Sequence, residues 1–219
     1  MFRTLIAIFM TLFSVSTWAQ VSGHEKGNGG YGVSCPSVDG TNVFLYDTVE
    51  AKLRYNLSVQ DPRPSPYAGI SLIDTALLYL NSIKNLDPNR YKKYKTWIED
   101  FPKNARALPS AEMGPVGDIG FSILPKGCRL EQLVIQHEPV GPEDRRYLIN
   151  SDLWQKMGVL DRAATMLHEV IYRDLLEINP AVRTSEKVRY LNALIFSGEL
   201  GKRTPSQYRD LMKHLGFTR

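Results

Sequence analysis

The sequence predicts an α+β fold: a small, mainly antiparallel sheet packed with about five or six helices, with a helical C-terminal third. Three observations predict it. Short runs rich in β-branched and aromatic residues, bounded by Gly and Pro, occur at 32–47 and again at 118–150. Segments with apolar residues at helical spacing, each with recognisable start and stop residues, surround them. No internal repeat or low-complexity tract interrupts the pattern.

In chain order, residues 1–19 read as a signal peptide. Arg3 supplies a positive start, "LIAIFMTLF" (5–13) a short apolar core, and Thr17-Trp18-Ala19 places small residues at −3 and −1 of a cut before Gln20. A retained anchor needs about 20 apolar residues, and Ser14, Ser16 and Thr17 arrive too early for that. No Cys follows the cut, which argues against a lipid anchor, and no later stretch is long and apolar enough to span a bilayer. The expectation is a periplasmic or secreted protein of one α+β domain, residues 20–219. Its first part, 20–32, reads as a flexible, Gly-rich leader. Gly27, Gly29 and Gly32 match the spacing of a dinucleotide fingerprint, but that motif must follow a strand and open a helix, and here a leader precedes it and a β-like stretch follows.

"GVSC" (32–35) and "TNVFLYD" (41–47) read as a hairpin around Asp39-Gly40. "TVEAKLRYNL" (48–57) has helical spacing. "DPRPSP" (61–66) breaks the chain, since each Pro lacks a donor and restrains its neighbour. "GISLIDTALLYLNSI" (69–83) reads as an apolar helix with Leu72, Ala76, Tyr79, Leu80 and Ile83 on one face. Asp87-Pro88 starts another that runs to Phe101, with Asp as N-cap and Pro at the first helical position. "DIGFSIL" (118–124), "RLEQLVIQHE" (129–138) and "RYLIN" (146–150) are β-rich. Beyond them, Asp161 reads as the cap of a helix over 162–178. Thr184 or Ser185 starts the next, which Gly198 ends, and Thr204-Pro205-Ser206-Gln207 is a capping box for a last helix closing at Gly216.

The formal net charge is +4, or +3 once Arg3 is removed. The excess is local: residues 183–219 hold eight Lys/Arg against three Asp/Glu, and residues 84–106 seven against three. A basic face of this kind is either simply solvated or a meeting surface for acidic glycan or anionic lipid. Export and the lack of a binding motif argue against nucleic acid. Cys35 and Cys128 are the only cysteines. In an oxidising compartment an even pair suggests a disulfide tying hairpin to sheet; two unpaired buried thiols are the alternative.

"LHEVIYRD" (167–174) carries the sharpest functional question. His168 and Glu169 match the start of the zinc-hydrolase helix His-Glu-x-x-His, in which two His at i and i+4 ligate the metal and the Glu acts as general base. Tyr172 stands where the second His would be, and a phenol of ordinary pKa about 10 is a poor ligand. His24, His137 and His214 are in no ligand spacing, and Glu186, Asp174 and Asp152 are oxygen donors without a pattern. Three readings stay open: a zinc site; a metal-free catalytic constellation of His168, Glu169 and Tyr172 lining a cleft; or a structural helix. In the last, Leu160, Ala164, Leu167, Ile171, Leu175 and Ile178 form the core stripe, His168 and Tyr172 bond to neighbouring elements, and Glu169 pairs with Arg173. No metal or cofactor is assigned. Gly-x-Ser-x-Gly is absent, and the carboxylate pairs Glu131/Glu138 and Glu143/Asp144 cannot be placed face to face from sequence.

Several landmarks together resemble an uncharacterised family of exported Gram-negative bacterial proteins. They are Gly27-Asn28-Gly29-Gly30 with Cys35, Leu124-Pro125-Lys126-Gly127-Cys128 before Leu130-Glu131-Gln132-Leu133, Tyr147-Leu148-Ile149-Asn150, Arg162-Ala163-Ala164 before His168-Glu169 and Tyr172-Arg173, and Arg189-Tyr190 before Asn192-Ala193-Leu194-Ile195. The chain departs from that pattern at Tyr31, where an acidic residue is typical, and at Asn179-Pro180, where Gly-His is usual. The resemblance implies export and one fold over nearly the whole mature chain, and no particular reaction. The functional expectation is a non-catalytic envelope or binding protein, with a hydrolase using His168 and Glu169 as the alternative.

Overall fold

The computed structural model describes residues 24–28, 30–63, 70–113, 122–182 and 184–218. Residues 1–19, read above as a signal peptide, lie outside these, as do residues 20–23 and 29 of the leader, 64–66 of the Pro-rich breaker and 118–121 of the first mid-chain β-run. The fold is α+β, with seven α-helices and two small, mostly antiparallel sheets among the described residues.

The sheets grow from one long pairing with a break in it. β1 (His24–Asn28) pairs antiparallel with β6 (Val134–Glu138), and β2 (Tyr31–Ser37) pairs antiparallel with β5 (Arg129–Gln132). The break falls at Gly30 on one side and Leu133 on the other. There the Gly30 carbonyl accepts from both Leu133 N–H (3.2 Å) and Val134 N–H (3.0 Å). β3 (Gly40–Leu45) completes the first sheet, in the order β3-β2-β5. Its hairpin turn places Gly40 at φ 124°, a conformation that a side chain would strain. The second sheet runs β1-β6-β7-β4, where β7 (Tyr147–Asn150) is antiparallel to β6 and β4 (Ala105–Leu108) is parallel to β7.

Three expectations are corrected by these strands. Residues 24–28 and 31–32 of the Gly-rich leader are strand, because a paired partner satisfies their backbone groups. "RLEQLVIQHE" is two strands in two sheets, because the ladder breaks at Leu133. Residues 122–124 form no strand, whereas "ARAL" (105–108), without a β-rich signature, is recruited as the parallel edge.

The helices follow their punctuation more closely. α1 (Tyr46–Tyr55) ends on Asn56 in the left-handed conformation. α2 (Leu72–Leu80) is capped by Ser71, whose side chain accepts from Asp74 N–H. α3 (Pro88–Glu99) has Asp87 accepting from Arg90 N–H at 2.9 Å. α4 (Ser151–Trp154) is a single turn, followed by α5 (Val159–Ile178), α6 (Glu186–Phe196) and α7 (Pro205–Leu215) with its capping box.

α5 is the axis of the molecule. A 20-residue helix is about 30 Å long, and every side chain from Ala163 to Tyr172 is buried. The expected stripe of Ala164, Leu167, Ile171 and Leu175 is in the core, with Leu160 and Ile178 partly buried at its ends. The opposite side is buried as well, because α2, α3, α6 and β3 all pack against this helix. Its cap differs from expectation. Gly158 is the N-cap, and Asp161 sits in the first turn, where its carboxylate accepts from Leu45 N–H (2.9 Å) and the Thr48 hydroxyl (2.8 Å). Asp161 thus satisfies donors at the start of α1, which has no side-chain cap of its own.

Asp174 of α5 is buried and ties this helix to α3. It accepts from Arg90 Nε (2.9 Å), Lys93 Nζ (2.6 Å) and Tyr94 OH (2.9 Å). Arg90 also donates to the Phe217 carbonyl at 2.9 Å, pinning the segment after α7. Cys35 and Cys128 form the disulfide, Cα atoms 4.3 Å apart, between β2 and the residue just before β5.

Candidate functional site

The first turn of α1 follows directly on β3, so Asp47 is carried off the end of the hairpin and into the interior. There it faces α5 and α6. Asp47 Oδ2 is 2.7 Å from His168 Nδ1 and accepts at 2.7 Å from Asn192 Nδ2, which also donates to the Ala164 carbonyl at 3.0 Å. A proton on His168 Nδ1 therefore points at a carboxylate, and three helices are joined through one buried oxygen.

Glu169 faces the other way, towards the sheets. Its Oε1 accepts from the Gly30 backbone N–H at 2.6 Å, and its Oε2 from Gln136 Nε2 at 3.0 Å. Gln136 Nε2 also reaches the Glu169 carbonyl at 3.1 Å. The break in the β1–β2 line leaves the Gly30 N–H without a ladder partner, and a buried unpaired N–H costs about as much as a lost hydrogen bond. Glu169 removes that cost. A Cβ on Gly30 would sit 3.4 Å from Glu169 Oε1 and 3.8 Å from His168 Cδ2, so the strand backbone runs close over both.

A second buried pair adjoins the first. Arg189 Nε donates to Glu50 Oε2 at 2.7 Å and its guanidinium lies 5.1 Å from the centre of the Tyr46 ring. Arg54 then links Glu50 (3.2 Å) to Glu186 (2.7 Å) at the surface.

The protonation states follow from these neighbours. Burial pushes the Asp47 carboxyl up, but attraction to His168, with the hydrogen bonds from His168 and Asn192, outweighs it and holds the group below its ordinary value. Burial pulls His168 down, and Asp47 more than reverses this, so its pKa is raised. For Glu169 burial dominates over His168 and its donors, and its pKa is raised. The pair favoured in the interior is thus a carboxylate with an imidazolium, beside a carboxyl pushed towards its neutral form.

Chemically, a carboxylate on Nδ1 fixes the tautomer and orientation of an imidazole and stabilises its charged form. His168 Nε2 has no hydrogen-bond partner among the described residues. His168, Glu169 and Tyr172 are each 0% exposed. The surface hollows at Tyr55/Tyr190, Phe44/Leu160, Phe101/Trp154 and Asp87/Asp174 are lined by other residues. The structure therefore brings His168 and Glu169 together with Asp47, Asn192, Gln136 and Gly30 inside the molecule. Tyr172 packs one turn along, its ring centre 6.2 Å from that of His168. The expected Glu169–Arg173 pair does not form. Glu169 points inward, while Arg173 bonds to Glu177 (3.2 Å) and stacks 3.9 Å from the centre of the Trp97 ring.

The remaining candidates are dispersed. Among the described residues no group of three or more His, Cys, Asp or Glu side chains could hold a metal ion. Glu186 pairs with Arg54, Asp152 accepts from Ser110 N–H at 2.9 Å, and His214 is exposed on α7. Glu138 pairs with Arg146, and Asp144 Oδ2 accepts from the backbone of Val140 and Gly141.

Sequence reading missed Asp47, Glu50 and Gln136 as interior polar residues, and noted Asn192 only as part of a landmark. One signal was there for Asp47: an acid inside the apolar stretch Val43 to Ala51 has to be capped, paired or misplaced. Nothing in the chain pairs it with a histidine 121 positions away. Compared with protein-family models, with curated proteins and with solved structures, the chain matches none.

Proposed function

We propose that this is an exported, non-catalytic protein of the bacterial envelope or exterior that binds acidic glycan or anionic lipid through its basic C-terminal third. The observation that carries this reading is the burial of His168, Glu169 and Tyr172, with both carboxylate oxygens of Glu169 and Nδ1 of His168 committed to bonds between secondary elements. The disulfide is compatible with an oxidising compartment, and no helix among the described residues is long and apolar enough to cross a membrane. The resemblance to exported Gram-negative proteins points to the same compartment. Of the C-terminal cations among the described residues, Arg189 is spent in the core and Lys202 pairs with Glu199, which leaves Lys187, Arg209 and Lys213 exposed and Arg203 half-buried. A face built on such charges predicts binding to an acidic polysaccharide at low ionic strength, weakening steadily as salt is added, since screening acts within about 10 Å at 0.1 M. Calorimetric titration at several salt concentrations measures this; no heat at the lowest one rejects the reading.

One observation favours a hydrolase as the second reading: Asp47 holds His168 by Nδ1 and leaves Nε2 uncommitted, an arrangement that serves proton transfer, as an acid while the ring is charged and as a base once it is neutral. Such an enzyme must open the site to water. Diethyl pyrocarbonate should then modify His168 in the native protein at a rate approaching that of exposed His214. Full protection of His168 while His214 reacts removes the hydrolase.

A further inference from the structure

A hollow of about 510 Å³ opens at the junction of α1, α6 and α7. That volume lies within the roughly 300–1,000 Å³ of small-ligand sites. One side is aromatic: Tyr55 and Tyr190 stand 4.8 Å apart between ring centres, tilted at 58°, with Leu194 beside them. The other side is polar and comes from the turn that enters α7. Its two features are Arg203 and Gln207.

The turn leaves donors in reserve. Gln207 Oε1 is used by the Thr204 N–H in the capping box, and its amide N–H groups have no partner among the described residues. Arg203 makes no ion pair among them, and its Nε is buried without an acceptor. That Nε is closed to the hollow, so the guanidinium meets a ligand there through its Nη groups, and a planar carboxylate can accept from both of them at once. Glu199, on the rim, is neutralised by Lys202, so Arg203 sets the sign of the hollow. Tyrosine faces are electron-rich and attract the partly positive C–H face of a sugar ring.

From this juxtaposition, and resting on the binding reading above, we infer that the Tyr55–Tyr190–Arg203–Gln207 hollow holds a uronate-type sugar, its carboxylate on Arg203 and its ring over the tyrosines. A chain of uronates would then continue onto the outer cations of α7. A lipid acyl tail suits this hollow poorly, because half of its lining is polar and charged.

The test uses the oxidised mature chain and trigalacturonate as the probe, by calorimetry at low salt. Binding is expected to weaken tenfold or more in Arg203→Gln, to fall between these two in Arg203→Lys, and to change less than twofold in Lys213→Gln, with melting temperatures unchanged. The neutral galactose trisaccharide should bind at least tenfold more weakly than the uronate. Equal binding of the neutral sugar overturns the assignment. So does an equal loss in Lys213→Gln and Arg203→Gln, or binding to phosphatidylglycerol vesicles alone; in those two cases the basic-surface reading survives without the hollow. No binding of either anionic probe at low salt removes both.

Discussion

Asp47→Ala is expected to lower the unfolding free energy by about 3–5 kcal/mol, the usual consequence of removing one partner of a buried ion pair. Asp47 and His168 are both fully buried, and the variant leaves a buried imidazole facing a void, with Asn192 losing an acceptor as well. Urea melts of the oxidised protein measure the loss. A double variant, Asp47→Ala with His168→Leu, should recover a substantial part of it, since an apolar pair leaves no charge stranded. A loss below about 1 kcal/mol in Asp47→Ala would show that the pair does not hold α1 to α5.

The same variant isolates a pH dependence. The folded pKa of Asp47 is depressed, so its contribution is present above the unfolded value of about 3.9 and is lost as pH falls through the folded pKa. The folded pKa of His168 is raised, so its contribution is complete below about 6.5 and is lost as pH rises through the folded pKa. The stability difference between the wild type and Asp47→Ala should therefore be largest between about pH 4 and 6.5 and shrink on either side. Glu169, with a raised pKa, lowers the stability of both proteins as pH climbs above about 4.3. Taking the difference removes most of that slope. Arg189 and Asn192, the other polar neighbours, do not titrate in this range. A difference that is flat from pH 4 to 9 would contradict the assigned charges.

The disulfide carries the second large effect. Cys35 and Cys128 are separated by 93 positions, and closing a loop of that length removes about 4–5 kcal/mol of unfolded-state entropy in the chain model. Reduction, or the Cys35→Ala/Cys128→Ala variant, should lower the melting temperature by about 8–20 °C at roughly 2–4 °C per kcal/mol for a chain of this size. Thiol titration of denatured, unreduced protein should find no free thiol. Reduction should loosen β2, β3 and β5 first, because the bridge ties β2 to the residue just before β5, and hydrogen exchange can localise this. A shift under about 2 °C would mean that the sheet holds its register without the bridge.

What was legible in the chain was legible for local reasons. The starts of α3 and α7 were readable because Asp87-Pro88 and Thr204-Pro205-Ser206-Gln207 satisfy helix-end donors within a few residues of themselves. The β2–β3 hairpin was readable because Asp39-Gly40 meets a turn requirement between two β-rich runs. Asp161 misled for a related reason. An acid before an apolar stripe resembles an N-cap, but its carboxylate serves α1, 116 positions earlier. Strand β4 was invisible because its sequence has no β signature and only the open edge of β7 makes it a strand.

The functional motif divides along the same line. By itself, the sequence determined the fold class, most of the helix ends, the cysteine pair available for bridging, and the presence of His168 and Glu169 side by side on a helix, because each depends on composition or on spacing along a few turns. Only the tertiary structure decided that these two face opposite partners, Asp47 and Asn192 on one side and the Gly30 break with Gln136 on the other, and that all of them are closed off from solvent. Burial and partner choice are set by which elements pack around α5. That packing sums contacts across more than a hundred residues, and no local pattern encodes it.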